Sequence, residues 1–119
     1  MDDLQAIARL KGYGGYKRHI FLCTGAGPCT DGASSEGLWQ YLKRRLHELE
    51  ADPQHPIVGR SKTECLRICK NGPIALVYPD GTLYQALTEE KMERVIVEHL
   101  LGGKPVMEYA IMQAPLRAD

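Results

Sequence analysis

Apolar residues recur along this chain in two rhythms. His19-Ile20-Phe21-Leu22 and Ile74-Ala75-Leu76-Val77-Tyr78 are short unbroken runs that include β-branched and aromatic types, the mark of buried strands. Ile57-Val58-Gly59-Arg60 reads as a weaker strand. Thr82-Leu83-Tyr84-Gln85 returns from the tight turn Pro79-Asp80-Gly81 as the second arm of a hairpin. The other rhythm is helical. Leu38, Leu42, Leu46 and Leu49 recur at steps of three and four, with Lys43, Arg44, Arg45, Glu48 and Glu50 filling much of the rest. Ser34 or Ser35 is expected to cap this helix with Glu36 in its first turn, and Asp52-Pro53 to stop it. A later helix is capped by Thr88, opens with Glu89 and Glu90, turns Met92, Val95, Ile96, His99 and Leu100 to the core, and ends at Gly102-Gly103.

The ends of the chain carry weaker patterns. Leu4, Ile7 and Ala8 suit one face of a short helix, which Gly12-Tyr13-Gly14-Gly15-Tyr16 breaks. Residues 1–18 therefore read as an N-terminal extension packed loosely on the body, and residues 104–119 as an extended C-terminal tail. Residues 19–103 form the domain, in the order strand, helix, strand, then strand, strand, helix. The first unit is a βαβ crossover, so its strands are parallel and its connection right-handed. The second adds an antiparallel hairpin. The expected fold is an α/β (α+β) arrangement in which one mixed four-stranded sheet is flanked by helices, as in thioredoxin.

Composition narrows the function classes. The 119 residues suffice for one domain that folds without disulfide staples. Lys+Arg and Asp+Glu both number 15, so no bulk field draws in nucleic acid or an anionic membrane. Met1-Asp2-Asp3-Leu4 has neither the basic nor the apolar region of a signal peptide, and no apolar run approaches membrane-spanning length. A cytoplasmic protein is the expectation. In a reducing cytosol, cysteines serve as metal ligands or redox groups more often than as disulfides.

The cysteines carry the chemistry. Cys23 and Cys29 have five residues between them and follow the first strand; Cys65 and Cys69 have three and precede the Gly72-Pro73 corner that leads into the third. Both pairs fall on loops, at the ends of strands expected to be neighbours. Four thiolates are the usual ligand set of an iron–sulfur cluster. Gly25, Gly27 and Gly72 let the backbone pass close to a bulky inorganic core, and their N–H groups, with those of Thr24, Leu66 and Arg67, are placed to point at sulfur. A structural Zn(Cys)4 site is the main rival: Cys65 and Cys69 fit zinc-knuckle spacing, whereas Cys23 and Cys29 fit it poorly. A dithiol oxidoreductase is disfavoured because no C-x-x-C is present.

Cys-Thr-Gly-Ala-Gly-Pro-Cys after a strand, and Cys-Leu-Arg-Ile-Cys-Lys-Asn-Gly-Pro-Ile-Ala-Leu-Val-Tyr-Pro-Asp-Gly-Thr-Leu-Tyr later, resemble the thioredoxin-like [2Fe–2S] ferredoxins over residues 19–107. The resemblance implies a [2Fe–2S] cluster with Cys23, Cys29, Cys65 and Cys69 as ligands, the first two on one iron and the last two on the other. It implies a small electron carrier rather than an enzyme, with redox enzymes as partners and often a homodimer, Pro105 to Ile111 contributing to the contact. It also places Pro73 where thioredoxin-like folds often keep a cis proline. Two alternatives keep other readings in view: a structural zinc or cluster-stabilised docking module, and a cluster subunit of a larger NADH dehydrogenase or hydrogenase.

The remaining polar residues have plainer readings. His19, His47, His55 and His99 are expected to be surface or half-buried groups rather than ligands, and Phe21, Trp39 and Tyr41 core. Lys62, Arg67 and Lys70 flank the cysteine loops, where they raise the potential of an anionic centre, guide an acidic partner, or simply keep the surface soluble.

Overall fold

A computed structural model describes residues 2–25, 32–50, 58–68 and 70–117. Its elements follow the chain as α1 (Asp2–Leu10), β1 (Arg18–Cys23), α2 (Gly32–Glu50), β2 (Val58–Thr63), β3 (Ala75–Tyr78), β4 (Thr82–Tyr84), α3 (Glu89–Arg94) and β5 (Ala110–Gln113). The helix begun by α3 runs on through Val95–Leu101 with π-helical hydrogen bonding. The strands form one mixed sheet in the order β2-β1-β3-β4-β5. β1 and β2 are parallel, as the crossover requires, and the other pairs are antiparallel.

The thioredoxin-like arrangement holds, and the sheet has five strands rather than four. The fifth comes from the segment expected to be an extended tail. It pairs Thr82 with Gln113, Leu83 with Met112 and, past an irregularity, Tyr84 with Ala110. A second tie reaches the same turn, because the Ala114 N–H donates to the Gly81 carbonyl over 2.7 Å. Gly81 is needed here: its φ is +70°, and a Cβ would lie 2.2 Å from the Ala114 oxygen.

The period-two alternation of strands sorts the sheet faces. Ile20 opposes Val77 and Leu22 opposes Ala75, and all four are buried beneath the helices. From α2 come Leu38, Leu42 and Leu46, with Leu49 and Tyr41 partly buried at the margin. From the last helix come Met92, Val95, Ile96, His99 and Leu100, every one fully buried, as the spacing predicts. The two helices are joined at their rims: Arg45 grips Glu93 through Nε at 2.7 Å and Nη2 at 2.8 Å, and the Tyr41 hydroxyl donates to the same carboxylate. The Arg45 guanidinium holds the Glu93 carboxyl below its ordinary range. The opposite sheet face has Phe21, Leu76, Leu83 and Met112 in one cross-strand row, half-buried to exposed.

Helix ends match the sequence unevenly. The Lys91 N–H donates to Thr88 Oγ1 at 3.2 Å, so the expected cap is in place. Thr88→Ala is expected to cost about 1 kcal/mol, read as a lower denaturant midpoint with an unchanged slope. α2 instead begins at Gly32, and Ser34 and Ser35 lie inside it. Ser35 is fully buried. The expected stop at Asp52-Pro53, His55 and the start of the second strand at Ile57 lie outside the described residues. Among the described residues no helix is long and apolar enough to cross a membrane.

Candidate metal centre

Parallel neighbours deliver their C-terminal ends to the same edge of a sheet, and here each end carries a thiol. Cys23 is the last residue of β1, paired in register with Thr63, the last of β2. Cys65 follows two residues later. The loops leaving both strands are stitched together by the backbone. Thr24 N–H donates to the Thr63 carbonyl at 2.8 Å, and Gly25 N–H to the Glu64 carbonyl at 3.1 Å. The Cys23 sulfur is itself 3.4 Å from the Glu64 carbonyl oxygen. Gly25 is required by this approach, since a Cβ there would lie 2.1 Å from that oxygen.

The expectation for backbone donors is therefore met in part. Arg67 N–H points at Cys65 Sγ over 3.1 Å, as a metal–thiolate centre needs. Those of Thr24 and Gly25 do something else: they tie the two loops. Gly27 lies outside the described residues, as do two of the predicted ligands, Cys29 and Cys69. Among the described residues no group of three or more His, Cys, Asp or Glu is arranged to hold a metal ion. The two cysteines that are described differ in exposure. Cys23 is buried and Cys65 is exposed.

The second loop is held in an unusual backbone shape. Arg67 has φ +71° and Asn71 φ +56°, and Ala86 beside them has φ +50°. Each left-handed residue other than glycine costs roughly 1–2 kcal/mol, Asn less than the others. Hydrogen bonds compensate: Ala86 N–H donates to the Asn71 carbonyl at 2.7 Å, Leu87 N–H to Pro73, and Asn71 Nδ2 to Gln85. The Gly72-Pro73 peptide bond is cis. Just before β3, the Ile74 carbonyl accepts from the Cys23 N–H at 3.0 Å, so both cysteine-bearing segments are fixed to one frame. Of the flanking cations, Lys62 is paired with Glu36 at 3.5 Å, while Arg67 and Lys70 are exposed.

No family model matches the chain. Curated relatives and solved structures do. A protein named "Ferredoxin, 2Fe-2S" from Clostridium pasteurianum is 30% identical over 98 residues, covering 80% of this chain and 96% of its own. One of the same name from Aquifex aeolicus (strain VF5) is 28% identical over 102 residues, covering 79% of this chain and 88% of its own. The structure of a thioredoxin-like [2Fe–2S] ferredoxin from Aquifex aeolicus superposes with TM-score 0.70 at 25% identity, covering 87% of this chain and 98% of that one. The chain belongs to the thioredoxin-like [2Fe–2S] ferredoxin family.

Two features of this ferredoxin were not legible in its sequence. Arg67 has no composition cue for a left-handed turn. His99 is fully buried, as its helical spacing predicts and against the surface or half-buried place expected of its residue type, and its partners could not be read. Its Nδ1 is 2.8 Å from the Tyr84 hydroxyl and its Nε2 2.5 Å from Asp80 Oδ2. No motif links positions 80, 84 and 99; the hairpin turn and the last helix bring them together. His19 does match expectation, half-buried and stacked on Phe21 with ring centroids 4.5 Å apart, and His47 is exposed.

Proposed function

We propose that this chain is a small one-electron carrier whose [2Fe–2S] cluster is held by Cys23, Cys29, Cys65 and Cys69, the first pair on one iron and the second on the other. The observation that carries the reading is the stitched junction of the Cys23 and Cys65 loops, at one edge of the sheet in a chain of this family. The residues there suit the group. Thiol donors come from adjoining loops, a backbone N–H is aimed at one sulfur, and glycine stands at the closest approach. When bound, such a cluster takes up and returns one electron.

The protein's part is to set the energy of the added negative charge and to let the electron in and out. The Arg67 N–H dipole stabilises negative charge on Cys65 without needing to move. Burial of Cys23 shields one side from water, and the exposed stretch around Cys65 leaves the other open to a partner. Electrons therefore pass through the Cys65 corner, to and from redox enzymes of the reducing cytoplasm. The chain catalyses no covalent chemistry itself.

Iron and sulfide analysis of anaerobically purified protein, with its visible and electron paramagnetic resonance spectra, tests the assignment. Iron and sulfide in equal amounts, a reddish-brown colour and a rhombic signal on reduction are expected. A colourless protein with stoichiometric zinc would overturn it.

The carrier works as a homodimer in this reading. Support comes from the row Phe21, Leu76, Leu83 and Met112 on the sheet face away from the two core helices, half-buried to exposed. A continuous apolar row of this kind fits a second copy of itself. Light scattering should give the mass of two chains, and Leu83→Glu should give one with the visible spectrum unchanged. A monomeric wild-type protein would remove the dimer and leave the cluster assignment standing.

A further inference from the structure

His99 sits where an ionisable group is costly, and the electron carrier makes no use of it. It lies within the π-helical stretch Val95–Leu101 and is fully buried. Its contacts allow one arrangement of protons. An ionised carboxylate only accepts, so His99 Nε2 carries the hydrogen donated to Asp80 Oδ2. Nδ1 of the neutral ring must then accept, and the Tyr84 hydroxyl must donate to it. The Tyr84 oxygen is left to accept, and it does so from the Val106 N–H over 2.9 Å. The result is a one-way relay, Val106 to Tyr84 to His99 to Asp80, in which every donor has an acceptor. Burial pushes the Tyr84 hydroxyl up to about 12, so it keeps its proton across the physiological range.

A second proton on His99 breaks the sequence. Nδ1 becomes a donor and meets the Tyr84 oxygen, which already accepts from Val106. The Tyr84 hydrogen must then turn away into a fully buried site. The charged groups facing the ring divide. Asp80, from the turn, favours the imidazolium, and Arg18, from β1, opposes it, with its Nη1 on the Leu100 carbonyl at 3.1 Å. Glu98, beside His99 on the same helix, is engaged by Arg94. Burial dominates and holds His99 below its ordinary value of 6.5, against the pull of Asp80.

What the relay ends on gives it a role. Val106 leads into β5, the strand that closes one edge of the sheet. We propose that the Asp80–His99–Tyr84–Val106 relay is a pH-sensitive clamp that holds the C-terminal segment on the sheet while His99 is neutral. The sign follows from linkage. Once the segment peels away, His99 meets water and binds a proton more readily than in the closed state. Opening therefore takes up a proton, and becomes easier as pH falls through and below 6.5. Above that value the clamp is closed at full strength.

Hydrogen exchange of the holoprotein between pH 7.5 and 5.5, followed by mass spectrometry and divided by intrinsic rates, tests this. Exchange over residues 104–114 should speed up relative to β1 and β3 as pH falls, approaching about tenfold per pH unit, the limit for one proton taken up. His99→Gln should flatten that profile. Tyr84→Phe, which removes the acceptor of the Val106 N–H, should speed the same segment severalfold at pH 7.5 with the visible spectrum intact. A constant ratio between the segment and β1–β3 in the wild type overturns the clamp. So does a pH profile that survives in His99→Gln, or a Tyr84→Phe segment that exchanges like wild type.

Discussion

Cys23→Ala should yield a folded, colourless protein. The side chain is 2% exposed at the end of β1, so its loss removes about one small buried group. By the scale of Ile→Val changes that costs about 0.5–1.5 kcal/mol, well within the 5–15 kcal/mol that holds a typical domain together. On the proposed ligand set the cluster has no such reserve, because one ligand in four is gone and alanine cannot replace it. Cys65→Ala should do the same at still smaller cost to the fold, since that residue is exposed. His47→Ala, on the exposed face of α2, should change neither colour nor stability. Circular dichroism with visible absorbance reads both effects. Retention of the wild-type spectrum in Cys23→Ala would remove it from the ligand set.

Gly25→Ala should be nearly as damaging, for a reason unrelated to ligation. The added Cβ would fall 2.1 Å from the Glu64 carbonyl oxygen, and the obstacle is backbone, not the end of a mobile side chain. Relief requires the first loop to move off the second, which also lengthens the Gly25–Glu64 hydrogen bond. Overpacking of this kind costs about 1–3 kcal/mol. The shift is felt where two loops must converge within a few ångströms, so iron content should fall sharply while the thermal midpoint falls by only a few degrees. A Gly25→Ala protein that loads iron to the wild-type level would show that the stitch is dispensable.

Much of this could be read from the sequence, because it depends on burial and local turn chemistry. Leu38, Leu42 and Leu46 announce a helix because each is buried against the same sheet. Thr88 announces its own cap, and Pro79-Asp80-Gly81 its own turn. The two described cysteines stand at the ends of adjoining parallel strands, where the crossover pattern puts them. The missed features are those that long-range neighbours impose. β5 is a four-residue edge strand whose residues are mostly exposed, so it carries little hydrophobic alternation; its place is set by hydrogen bonds to Thr82–Tyr84. The π-helical stretch shows the same apolar spacing as an α-helix and cannot be told from one by periodicity. Ser35 looks like a cap because capping and small-residue packing favour the same amino acid. The contacts of His99 could not be read because its partners come from a turn and a strand, and Tyr84 is held in turn by the segment beyond the helix.

The tie between the two cysteine-bearing loops bears on how the protein acquires iron. Its bonds run from main chain to main chain, Thr24 to Thr63 and Gly25 to Glu64, and the hydrophobic core lies apart, beneath α2 and the last helix. Neither depends on a metal. The Cys23 and Cys65 corners should thus keep their relative places when iron is removed. Stripping and reloading iron would then proceed without passage through the denatured chain.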